Sequence, residues 1–358
     1  MATLRDVAAR AGVSTQTVSN VVHGKTSEVG APTIERVQQA IAELKYQPSM
    51  VARQLRSGRG GAIALVVPDL INPYFAKVAM HVISAAAEHG YTVLIDYTAG
   101  SAEAEMRALE ALRQHMISGA IFSPLALGVN ELVAHAGKTP VVLLGEHLFG
   151  SPYDHVDIDN VEAARVATAH LLALGRRQIA AIGTFGEGGE NTSRLRLQGY
   201  AEALAAAGVP LDPEFTESVA RNSMHRFDGA QAMQRLLSRS DRPDGVFCFT
   251  DLLALGAMPV LHEAGLRIPD DIAVAGFDDI EEAQLAYPPL TTIAVSTQET
   301  CNQAVSLLVQ RIDGTRTGPP VRMQPPFELV VRASTIAASH ANVVRDGRRL
   351  ESTPAVPN

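Results

Sequence analysis

Thr3-Leu-Arg-Asp-Val-Ala-Ala-Arg-Ala-Gly-Val-Ser-Thr-Gln-Thr-Val-Ser-Asn-Val-Val-His-Gly24 is the stretch whose pattern decides how the chain begins. Leu4, Val7, Ala8 and Ala11 fall at i, i+3, i+4 and i+7, the buried stripe of a short helix. Thr3 stands before it with Asp6 three residues on, a capping-box spacing. Gly12 ends the helix where a tight turn needs an unhindered backbone, and Ser14 can cap a second helix. Val18, Val21 and Val22 then face inward, leaving Thr15, Gln16, Thr17, Ser19 and Asn20 outside as an uncharged hydrogen-bonding face. Such a face at a helix N-terminus matches the donor and acceptor pattern of the DNA major groove. The plainer reading is a small helical cap with a solvated face.

Pro32 opens a third helix with Ile34, Val37, Ile41 and Leu44 on one side, and Tyr46 and Pro48 close it. Residues 50–56 are long enough for two helical turns, too few to be stable alone, and Gly58, Gly60 and Gly61 follow as a linker. This segment is either a tether or a helix that folds on DNA. In the second case Leu55 wedges into the minor groove while Arg53 and Arg56 meet phosphate.

The run Val13-Ser-Thr-Gln-Thr-Val-Ser-Asn-Val-Val-His-Gly24, the Tyr46-Gln-Pro48 signature and Val51-Ala-Arg-Gln-Leu55 resemble the lactose-repressor (LacI/GalR) family of bacterial transcription regulators. The resemblance extends over residues 2 to about 338. It implies that Thr15, Gln16 and Asn20 read bases and that Ala52 and Leu55 hold the minor-groove positions. Thr3, Ser14, Thr17, His23 and Arg53 complete the expected DNA-contact set. Many relatives carry another residue at Asn20, so the operator half-site is expected to differ there.

Charge is uneven. Eight cationic and four acidic residues before Gly61 give +4, so the remainder carries −12 of the chain's −8. A basic end on an acidic body is the footprint of a local phosphate-binding module. The two cysteines, Cys248 and Cys301, form no CxxC motif and read as small buried apolar residues. Neither a signal peptide nor a membrane-length apolar run is found, so a cytoplasmic protein is expected.

From residue 62 strands and helices alternate. Apolar runs at 62–67, 93–95, 120–122 and 141–144 read as buried parallel strands, and a second set follows at 179–182, 217–220, 245–249 and 272–275. Gly90, Gly175, Gly208 and Gly265 stand where intervening helices end. The expected fold class is α/β, with two doubly wound parallel sheets in a two-lobed, periplasmic-binding-protein-like core behind an all-α headpiece. The headpiece is placed at 1–48, the hinge helix and linker at 49–61, the core at 62–338 and a flexible tail at 339–358. One lobe takes about 62–160 plus 292–322, the other about 161–291 plus 323–338.

Ligands of such sheets bind beyond the carboxyl ends of the strands. The loops there carry Asp69 to Phe75, Thr250-Asp251, Gly276-Phe-Asp-Asp279, and Arg194 and Arg196 after a glycine-rich run. Carboxylates, an arginine and aromatic rings together suit a polyhydroxylated ligand. The expected effector set is Asn72, Tyr74, Phe75, Glu146, Arg196, Thr250 and Asp278. The resemblance places effector contacts at Arg196 and Asp278. Asp251 and Asp279 can equally cap turns, and Arg194 can pair with Glu190. Relatives often have Asn at Thr250 and a carboxylate near Gly145, where here Glu146 is the neighbouring acid.

The run 183–189 lacks a phosphate-loop ending, neither HExxH nor GxSxG occurs, and the eleven histidines are scattered. No enzyme, cofactor or metal is expected. The implied function is a DNA-binding repressor of carbohydrate-utilisation genes, relieved by a sugar in the cleft. A corepressor-dependent regulator and a plain sugar-binding protein are the alternatives. The expected partners are double-stranded DNA with a pseudo-palindromic operator, a sugar-like effector and a second copy of the chain. No leucine heptad occurs in 339–358, so a dimer is expected rather than a tetramer.

Overall fold

The computed structural model describes residues 2–22, 29–44, 46, 61–114, 117–146, 148, 150–185, 192–219 and 224–336. His23, Ala52, Arg53, Leu55, Glu190 and the tail lie outside the described residues. The chain divides into two units, Met1–Gly61 and Ala62–Asn358.

The first unit is α1 (Leu4–Ala11), α2 (Thr15–Val22) and α3 (Ala31–Glu43). Local chemistry sets each boundary. Thr3 N–H donates to the Asp6 carboxylate at 2.8 Å while Asp6 N–H donates to Thr3 Oγ1 at 3.3 Å, closing the capping box. Gly12 takes φ 66°, the left-handed turn that glycine enters without strain. Ser14 Oγ accepts from Thr17 N–H at 3.1 Å and starts α2. Val7, Ala8, Ala11, Val18, Val37 and Ala40 form a small core, ringed by Leu4, Ile41, Leu44 and Tyr46.

One expectation fails here. Ser19, assigned to the outer face, is buried, whereas Val21 and Val22 are only half-buried. α2 is clasped by both α1 and α3, so its inward stripe is wider than the valine spacing indicates, and a small hydroxyl fits within it.

The second unit holds two six-stranded sheets. The first has the order β11-β5-β4-β3-β1-β2 and contains β1 (Gly61–Val67), β2 (Tyr91–Tyr97), β3 (Ala120–Phe122), β4 (Val141–Leu144), β5 (Asp154–Val156) and β11 (Arg322–Met323). The second has the order β12-β10-β9-β8-β6-β7. Its strands are β6 (Ile179–Thr184), β7 (Thr216–Ser218), β8 (Gly245–Cys248), β9 (Ala273–Phe277), β10 (Thr291–Val295) and β12 (Phe327–Val330). β11, β5, β4, β3 and β1 pair in parallel, as do β10, β9, β8, β6 and β7, whereas β12 runs antiparallel to β10.

Two corrections follow from this pairing. β10 was expected to leave the second lobe at 292, yet Thr291 pairs with Ala275 and Thr292 with Val330, so the crossover comes after Val295. Thr292 Oγ1 also donates to the buried Asp251 carboxylate at 2.6 Å, anchoring β10 there. Met323 pairs with Val156, so the return crossover falls after it. The other correction is β2, expected to be buried. It is an edge strand, and Leu94, Ile95 and Tyr97 are exposed.

Helices cover the sheets. In the first lobe they are α4 (Pro73–Glu88), α5 (Ala102–Gln114), α6 (Val129–Ala136) and α12 (Thr297–Ile312). The second lobe has α7 (Asn160–Ala173), α8 (Thr192–Ala206), α9 (Arg226–Leu237), α10 (Asp251–Glu263) and the short α11 (Glu281–Leu285). A salt bridge and an amide hydrogen bond pin the chain where it changes lobes. The buried Asp157 accepts from Arg322 at 2.5 Å and Gln324 at 2.9 Å, tying the first crossover to the third. Cys248 and Cys301 are buried free thiols, and burial pushes Cys301 up to about 12. Among the described residues, no helix is long and apolar enough to cross a membrane.

α9 and α10 touch through glycine. A Cβ on Gly256 would collide with the Arg226 carbonyl, and one on Gly229 with that of Leu253. Gly256→Ala is therefore expected to destabilise the core by about 1–3 kcal/mol, because backbone rather than a side chain must move. Urea unfolding monitored by circular dichroism reads this as a lower midpoint; an unchanged midpoint would show that the helices part without cost.

Candidate ligand cleft and DNA-contact face

On the headpiece, Thr3, Ser14, Thr15 and Gln16 are exposed, and Thr17 and Asn20 are half-buried. Thr3, Leu4, Arg5, Thr15 and Gln16 line one concave patch. Gln16 Nε2 donates to Asn20 Oδ1 at 3.0 Å, and the Ser14 and Thr17 hydroxyls lie 2.9 Å apart. The helix thus presents side chains already ordered by neighbours one turn away, which lowers the entropy lost on contact with a base edge.

Between the two sheets of the second unit lies a cavity of about 180 Å³. All seven expected effector residues line it: Asn72, Tyr74, Phe75, Glu146, Arg196, Thr250 and Asp278. Asn72 sits where β1 gives way to α4; its Oδ1 accepts from Tyr74 N–H at 3.0 Å, capping the helix. The Tyr74 and Phe75 rings meet edge to face with centroids 5.1 Å apart. Thr250 caps α10 by accepting from Leu253 N–H at 3.2 Å.

Glu146 follows β4 and is buried against the cleft. Its Oε2 accepts from the Thr192 hydroxyl at 2.5 Å, a hydrogen bond from the first lobe to the start of α8 in the second. A second lobe-to-lobe contact joins Asp69 Oδ2 and His225 Nε2 at 3.8 Å.

Arg196 is the charged centre of the second lobe. It is buried, donates from Nε to Asn160 Oδ1 at 2.7 Å and from Nη1 to the Phe249 carbonyl, and lies 3.4 Å from the centroid of the Phe277 ring. Burial lowers its guanidinium from the ordinary range, while the charges of Asp278 and Glu146 act to raise it. Asp278 follows β9 with φ 115°, a conformation that ordinary L-residues rarely enter and that functional sites often retain. Burial pushes its carboxyl up to about 7; Arg196 opposes the shift and Glu146 reinforces it.

Adjacent acids are aimed apart. Asp279 Oδ1 accepts from Arg332 at 2.6 Å, away from the cavity. Asp251 accepts from Ile280 N–H at 3.0 Å and the Thr292 hydroxyl, and burial holds its carboxyl well above the usual range. Both tie distant parts of the second lobe together, and these contacts are long-range rather than caps of the turns that follow them. Sequence reasoning missed Asn160, Thr192, Phe249 and Phe277 as partners of the site.

The profile of the bacterial regulatory proteins of the lacI family matches residues 3–49, and that of the periplasmic binding protein-like domain matches 168–335. The HTH-type transcriptional repressor CytR of Escherichia coli (strain K12) is 33% identical over 337 residues, 94% of this chain and 97% of CytR. The chain belongs to the lacI family. Among solved structures of the family, the Lac repressor dimer bound to operator and the anti-inducer ONPF is 30% identical with TM-score 0.81. That match covers 94% of this chain and 99% of the repressor. The transcriptional regulator CelR in complex with cellobiose is 33% identical with TM-score 0.68, covering 93% of this chain and 100% of CelR. As a lacI-family member the chain is a DNA-binding transcriptional regulator, and the similar CytR is named as a transcriptional repressor.

Proposed function

We propose that the chain is a homodimeric repressor whose affinity for a pseudo-palindromic operator is lowered when a sugar or sugar derivative occupies the cleft between its lobes. The observation that carries this is the buried Arg196 and Asp278 at one cavity wall, beside the Tyr74 and Phe75 rings. A carboxylate accepts and a guanidinium donates to vicinal hydroxyls, and rings pack on the apolar face of a sugar. Thr15, Gln16 and Asn20 read bases in this account, with Thr3, Ser14 and Thr17 ordering the approach. His23, Ala52, Arg53 and Leu55 are the further DNA contacts.

The two lobes supply the coupling. Ligand that bridges Glu146 in one lobe and Arg196 and Asp278 in the other changes the lobe angle, and linkage requires operator to weaken ligand binding by the same factor. Dimerisation is supported by exposed Met80 and Ile83 on α4 and Leu94, Ile95 and Tyr97 on the adjoining β2. Sedimentation of the full chain is expected to give a dimer; a tetrameric mass would contradict this.

Fluorescence anisotropy of labelled operator, titrated with pools of carbohydrates, tests the reading. Release of operator is expected. Tightened binding would mark a corepressor, and no change with any pool would remove the effector role.

Asp278 also sets a pH dependence. Its folded carboxyl titrates at about 7, above the ordinary 3.8, so the folded protein holds the extra proton between these values. Stability is then expected to fall as pH rises through that window. Asp278→Asn should flatten this part of the profile, measured as urea midpoint against pH; an unaltered slope would place the proton elsewhere.

A further inference from the structure

We infer that the cleft accepts uncharged hydroxylated ligands and rejects their phosphate esters, with Glu146 as the discriminating side chain; this rests on the effector reading above. Among the described residues the cavity is lined by three carboxyl groups, those of Asp69, Glu146 and Asp278, and by one Lys or Arg, Arg196, with the charge of Lys77 also acting on Asp278. Its guanidinium is already engaged at Nε by Asn160 and at Nη1 by the Phe249 carbonyl, and its Cζ lies 3.4 Å from the Phe277 ring centroid. The side-on grip through Nε is thus removed, which leaves Arg196 with Nη2 and one Nη1 proton for a ligand, one partly engaged cation among the carboxyl groups.

The start of α8 is the other place where an anion would sit, because helix N-termini carry free N–H groups and a positive partial charge. Glu146 stands beside that position, its Oε2 accepting from the Thr192 hydroxyl at 2.5 Å, so its charge opposes an anion arriving there. The Ile158 N–H approaches the other oxygen at 3.4 Å, and the side chain is buried, so its charge is fixed in the wall and does not swing into solvent. Val67, Leu144, Ile158 and Phe185 line the same cavity with apolar surface that screens poorly.

A phosphate about 5 Å from one such carboxylate, at an effective dielectric of about 20, loses affinity by on the order of a hundredfold per unit charge. A hydroxyl at the same place gains, because each carboxylate accepts its proton in a hydrogen bond.

The test uses the full chain. Thermal unfolding is followed with a library of uncharged mono- and disaccharides and nucleosides, each beside its phosphate monoester, and dissociation constants are measured for every compound that raises the midpoint. At least one uncharged compound is expected to bind, with its monoester weaker by roughly a hundredfold. Glu146→Gln, which keeps an acceptor for Thr192 and removes the charge, is expected to narrow that gap tenfold or more. A monoester binding as tightly as its parent overturns the inference and leaves the effector reading standing. An unchanged gap in Glu146→Gln overturns the role of Glu146. Silence of the whole library overturns both the inference and the sugar reading.

Discussion

Gln16→Ala is expected to weaken binding to the operator by about 1–3 kcal/mol, roughly 5- to 150-fold, and to relax preference at one base pair. Gln16 is exposed in the first turn of α2 and held by its hydrogen bond to Asn20. Its amide can donate and accept at once, which suits the paired groups on an adenine edge. It carries no charge, so the phosphate contribution should be untouched, and affinity for random DNA and the slope against salt should stay as in the parent. Anisotropy titrations on operator and scrambled duplexes separate the two terms. Equal losses on both would mean that Gln16 orders the helix and reads no base.

Asp278→Ala is expected to abolish the response to ligand while operator binding persists. Its carboxyl lines the cavity in a conformation strained for any side chain. Each charge-assisted hydrogen bond that it makes to a ligand hydroxyl contributes about 1.5–3 kcal/mol, so affinity should drop ten- to hundredfold or more. Unfolding is not the expected cause, because the substitution removes a buried carboxyl that burial disfavours. Operator release by the ligand, compared between parent and variant, is the readout. A variant that still releases operator at the parental concentration would remove Asp278 from the site.

Much of the fold is legible because the signals are local. The Thr3–Asp6 capping box, the Gly12 turn and the left-handed glycines at 90, 175, 208 and 265 are each decided by a few neighbouring atoms. The lobe boundary is different. Residues 291–295 read as a strand whichever sheet they join, and the choice is made by Asp251 and Ser334, far along the chain. The same holds for β2, whose apolar run gives no sign that it stands at an edge.

The cleft follows that division. The expected residues converge because each follows a strand's carboxyl end or starts a helix, and sheet topology brings those ends together. The partners that fix their charge were out of reach. Arg196 depends on Asn160 and on the Phe249 carbonyl, and Glu146 on Thr192, contacts across 36, 53 and 46 residues. No spacing rule in a single sequence reports such pairs.

The most direct test of the central claim is selection of genomic DNA fragments by the full chain at physiological salt, with and without pooled carbohydrates. The account predicts recovery of a few palindromic sites, lost when the effective sugar is present. Random fragments in both arms, or sites whose recovery no carbohydrate alters, would contradict it.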